Sequence, residues 1–103
     1  MQMDADFKLG IDLLKRFKEH IEALANSSSS EEVKDILEAI KEIIRNATYR
    51  IKQGNGPFKE ELFSALAPIV RNAREFENPE VVKENAKKVL ELLENLEKAT
   101  AEA

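Results

Sequence analysis

The 103-residue chain has no cysteine, no tryptophan and only one histidine. Without cysteine, disulfide frameworks, thiolate metal sites and thiol nucleophiles are excluded together. One histidine leaves little room for imidazole chemistry. Glycine and proline number three each, and the composition reads as helical. No apolar run approaches the roughly 18 residues of a membrane span. A basic excess is missing as well. There are 16 bases against 20 acids, and the formal net charge of -4 argues against a nucleic-acid or anionic-membrane protein. Met1-Gln2-Met3-Asp4 offers neither a basic nor an apolar stretch, so the cytoplasm is the expected compartment.

What is present is apolar enough to fold: 43% of residues are hydrophobic and 35% charged, which fits one domain over residues 1–103. Four amphipathic helices are predicted, at about 4–25, 30–53, 57–77 and 79–99. Asp4 can cap the first, whose stripe is Phe7, Leu14, Phe17, Ile21 and Leu24. The run Ser27 to Ser30 ends it, and Ser29 with Glu32 has the spacing of a capping box. The second stripe is Val33, Ile36, Leu37, Ile40, Ile43, Ile44, Ala47 and Ile51. It stops at Gly54-Asn55-Gly56, where glycine can take the left-handed conformation of a C-cap. Pro57 suits the first turn of the third helix, with Phe58, Leu62, Phe63, Leu66, Ile69, Val70, Ala73 and Phe76 inward and Pro68 on the outer side. Asn78-Pro79 is a cap followed by a proline, opening the stripe Val82, Ala86, Val89, Leu93 and Leu96. Short links force antiparallel neighbours. The expected fold is therefore all-α, an up-down-up-down antiparallel four-helix bundle.

Helical bundles often carry metals or haem, and neither pattern is here. Carboxylate-bridged di-metal sites need Glu-x-x-His on two helices, but Phe17 stands three before His20. Met3 and His20 lie about 25 Å apart along one predicted helix, so they cannot grip one iron from opposite sides. Gly54-Asn55-Gly56-Pro57 matches no phosphate loop, and nothing in the serine spacing builds a nucleophile around His20. No catalytic, cofactor or metal residues are assigned.

The remaining interest lies in residues that break the pattern. Gly10 continues the inward spacing of the first helix, which implies either close packing or space kept for a ligand. Asn85 falls between Val82 and Val89 on an inward stripe, near the level of His20, and the two could frame a polar pocket. Leu9 and Leu13 share a flank with His20, and Tyr49 lies nearly opposite the core face of its helix. Together they are the candidate interaction surface, for a protein partner or for weak self-association of an otherwise monomeric chain.

The runs Asn78 to Glu94 and Ser29 to Ile44, with explicit caps, helix-former surfaces and aliphatic cores, resemble computationally designed helical bundles. Gly10, Pro68, Asn85 and the four-serine run depart from that style. The resemblance implies an engineered, non-enzymatic scaffold or protein-binding module. The alternatives are a ligand or designed catalytic pocket near Gly10 or His20 and Asn85, and a natural cytoplasmic helical adaptor.

Overall fold

Asp4 does begin the first helix. In the computed structural model, which describes residues 2–101, its backbone is extended and its Oδ1 accepts the Phe7 N–H at 3.0 Å. Helix α1 then runs only from Ala5 to Arg16, and α2 follows over Lys18–Ala25. The single helix expected over 4–25 is thus two, and among the described residues five helices replace the expected four. Phe17 is the break, with φ -107° and ψ 21°, and the His20 N–H bonds back to its carbonyl at 3.0 Å. Neither glycine nor proline marks the place. Its cause is tertiary: α1 lies against α3, whereas α2 lies mainly against α5, and one straight rod cannot follow both. Phe17, predicted inward, ends half-buried at the corner, while Ile11, outside the predicted stripe, is buried.

Helix α3 spans Ser30–Gln53, starting where predicted. Ser29 Oγ accepts the Glu32 N–H at 3.2 Å. The Glu32 carboxylate meets the Ser28 hydroxyl at 3.5 Å, so Ser28 takes the returning arm of the box. Helix α4, Lys59–Arg74, is shorter at both ends than the predicted 57–77. Pro57 stays in the turn, and Phe58 precedes the helix with φ 62° and ψ 22°. Among the described residues Phe58 is the non-glycine residue with positive φ, and no glycine has one. The left-handed glycine expected after α3 is therefore absent.

The glycines answer to space instead. A Cβ on Gly54 would press on the Phe7 backbone nitrogen and sit 2.6 Å from Asp4 Oδ1, and one on Gly56 would enter the Phe7 ring. The α3–α4 loop is laid directly on the start of α1. Asp4 fastens it in both directions: its N–H donates to the Asn55 carbonyl at 3.0 Å, and its Oδ2 accepts the Asn55 N–H at 2.9 Å. These amide donors, Phe7 first and Asn55 second, hold the Asp4 carboxyl below its ordinary value of 3.8. The folded protein then binds fewer protons here than the unfolded chain. The contribution of Asp4 is complete above its unfolded value and is lost as pH falls through the lowered one. Asp4→Ala is accordingly expected to melt below the parent at neutral pH, with the gap closing as the solution is acidified beneath 3.8, read by thermal circular dichroism across pH.

Helix α5, Pro79–Ala101, opens on the predicted cap, Asn78 Oδ1 accepting from Glu80 at 3.1 Å and Val81 at 3.3 Å. Asn72, which no pattern singled out, is buried and ties down the preceding link. Its Oδ1 accepts the N–H groups of Glu77 (3.0 Å) and Asn78 (2.8 Å), while its amide donates to the Pro68 carbonyl. Successive contacts run α1 on α3, α3 on α4, α4 on α5 and α5 on α2, enclosing one aliphatic core with Phe7 at one end. The body measures 41 × 23 × 20 Å, set by the 24-residue α3 at about 1.5 Å per residue. Among the described residues there is no strand, and no helix is long and apolar enough to cross a membrane.

Candidate functional site

Gly10 keeps no space for a ligand. A Cβ there would stand 2.7 Å from Ile51 Cγ1 and 2.9 Å from the Ala47 carbonyl oxygen, so the missing side chain is filled by α3 itself. Asn85 is half-buried and satisfied within its own helix, its amide donating to the Val81 carbonyl at 2.8 Å. It borders a shallow α4–α5 groove with Glu60, Glu61, Ser64 and Lys88, and no residue of α1 or α2 lines that groove. His20 is exposed on α2, its ring 5.7 Å from that of Phe17. The polar pair read from helix levels is thus not assembled there.

The four candidate surface residues fall on two faces. Leu9 is 49% exposed on α1, with Leu13 one turn on and half-buried against the core. Tyr49 is 57% exposed. It is two residues from both Ala47 and Ile51, the positions that meet Gly10, and so lies about 200° round the helix from the α1 contact. Tyr49 belongs instead with α4.

There it borders a groove of about 410 Å³ between α3 and α4. The floor and wall include Phe63, Ala67 and Val70, all half-buried. Arg45 and Lys52 stand along the α3 side, Arg71 and Arg74 along the α4 side. A smaller recess continues it past Val70 and Ala73 to Lys41. No carboxylate or imidazole lines either part. Glu42, on the outer side of α3, pairs with Arg45 in an exposed contact that contributes little. The Lys52 ammonium lies 5.7 Å from the Phe63 ring centre, a cation–π distance.

The local sequence makes this possible. Residues 43–59 contain Arg45, Arg50, Lys52 and Lys59 and no acid, and residues 62–74 contain Arg71 and Arg74 and no acid. Pairing α3 with α4 brings the two acid-free runs together on a chain that is negative overall. Charge patterning along the chain holds that signal, although helix periodicity alone does not raise it. The arrangement offers guanidinium and ammonium donors above an apolar, aromatic surface, which suits holding an anionic partner rather than moving protons. Among the described residues, no group of three or more His, Cys, Asp or Glu is placed to hold a metal ion. No family model, curated protein or solved structure matches this chain.

Proposed function

We propose that the chain is an engineered, non-enzymatic scaffold whose α3–α4 groove is a protein-binding face. Its topology is read as an up-down four-helix bundle in which α1 and α2 form one bent arm. The observation that carries the functional reading is Tyr49. A large aromatic 57% exposed between Arg45 and Lys52 has the make-up of an interface anchor, since Tyr and Arg dominate such surfaces. The explicit caps at Asp4, Ser29 and Asn78 support the engineered reading. A ligand pocket at Gly10 is disfavoured by the contact with Ile51 and Ala47.

The test is an amide-shift titration of the isotopically labelled chain with a set of amphipathic helical peptides differing in flank charge. At least one peptide is expected to move the Tyr49, Phe63 and Val70 signals selectively and saturably. Shifts confined to other faces, or none from any peptide, overturn the reading.

A further inference from the structure

We infer that the partner for which this groove is built is an acidic amphipathic α-helix, which lies along α3 and α4 as a third rod. The inference rests on the groove being the binding face, and it adds the partner's shape and charge. Shape comes from periodicity. On α4, Phe63, Ala67, Val70 and Arg74 follow one another at steps of four, three and four residues, and on α3 Arg45, Tyr49 and Lys52 at steps of four and three. These are the steps that keep side chains on one helical face, so both helices turn a second stripe toward the same trough. Two neighbouring stripes, the α4 one carrying the half-buried Phe63, Ala67 and Val70, suit a helix of about 10 Å diameter at ordinary interhelical spacing. From Lys41 to Lys52 the trough runs about 16 Å, close to three helical turns.

Charge selects the partner. Lys41, Arg45, Lys52, Arg71 and Arg74 edge the trough with no acid in its lining. Arg45 keeps an exposed partner in Glu42, and Glu38 borders the adjoining recess with Lys41 and Arg74, but no acid lines the trough itself, so Glu or Asp flanking an apolar stripe adds pairing there that a basic or neutral helix does not. A nucleic acid offers the same sign of charge over a wider surface. Outside the trough eleven bases face twenty acids, so a duplex would press its phosphates against a negative body. A slender helix stays within the positive strip.

The experiment uses fluorescence anisotropy on the full chain with three labelled peptides of about 18 residues, each about 27 Å long as a helix. They share one Leu/Ile stripe and carry Glu, Gln or Lys on its flanks. The Glu peptide is expected to bind about tenfold or more tighter than the Gln peptide, the advantage fading as salt is raised past about 0.3 M. In the triple variant Arg45→Gln, Arg71→Gln, Arg74→Gln, all exposed positions that leave the core untouched, that advantage is expected to disappear while circular dichroism stays unchanged. Tyr49→Ala is expected to weaken Glu and Gln peptides alike. If the Gln peptide binds at the groove as well as the Glu peptide, the acidic-helix inference is overturned and the binding-face reading stands. If no peptide binds there, both fall. Tighter binding of a short DNA duplex, or sedimentation showing a salt-sensitive dimer that the triple variant abolishes, also overturns it in favour of that occupant.

Discussion

Phe7→Ala is expected to cost about 3–5 kcal/mol of folding stability, the range for emptying a fully buried phenylalanine site. That is a large share of the 5–15 kcal/mol typical of a domain, taken as about that order here. Phe7 is wholly buried. Its ring is the surface on which Gly56 rests, and its backbone nitrogen is bonded by Asp4 under Gly54. Removing the ring therefore leaves the α3–α4 loop without its seat as well as opening a cavity. Urea denaturation measures the effect, and Leu9→Ala is the internal comparison. Two residues along the same helix but 49% exposed, Leu9 is expected to change stability by no more than about 0.5 kcal/mol. Equal losses at the two positions would mean that Phe7 does not hold the loop.

Gly10→Ala is the second large effect, and its sign is the informative part. Alanine is the better helix former by about 1 kcal/mol, so at an open position the change would stabilise α1. Here the new methyl meets Ile51 Cγ1 at 2.7 Å and the Ala47 carbonyl at 2.9 Å, closer than carbon atoms tolerate. The side chain of Ile51 can turn aside, but the carbonyl is part of the α3 backbone and moves only if the two helices part. Overpacking of this kind costs about 1–3 kcal/mol, so the net result is expected to be destabilising. In an Ile51→Ala background one of the two obstacles is gone, and the added penalty of Gly10→Ala is expected to shrink, a coupling readable from a double-mutant cycle in urea. A stabilised Gly10→Ala single variant would show that α1 and α3 are not in close contact.

The caps at Asp4, Ser29 and Asn78 could be read from the sequence because each is decided within four residues, by a side-chain oxygen and the amides just ahead of it. Phe17 could not. Its local sequence is helical, and the break depends on α1 and α2 choosing different neighbours. Gly54 and Gly56 were recognisable as necessary glycines, yet for the wrong reason, since close approach and left-handed geometry select the same residue. At Gly10 close packing was foreseeable, but its partner, the Ala47 carbonyl and the Ile51 side chain of α3, depends on how the two helices meet. Asn72 escaped because its three bonds run to a carbonyl and two linker amides that only the folded turn brings near. The groove was half visible: the acid-free runs lie in the sequence, but whether they share a face depends on how α3 and α4 pair.

The corner at Phe17 also bears on how the molecule comes apart. Because α1 is committed to α3 and α2 to α5, the first arm straddles the body like a strap buckled at both ends. Helix α5 would otherwise be held chiefly by α4 and could peel away by itself. With α2 across it, opening α5 means stripping the strap too, and α2 continues into an α1 anchored under the α3–α4 loop. Freeing α5 therefore breaks its contacts with α2 as well as those with α4, and the bend ties the two ends of the chain's helix order to one another.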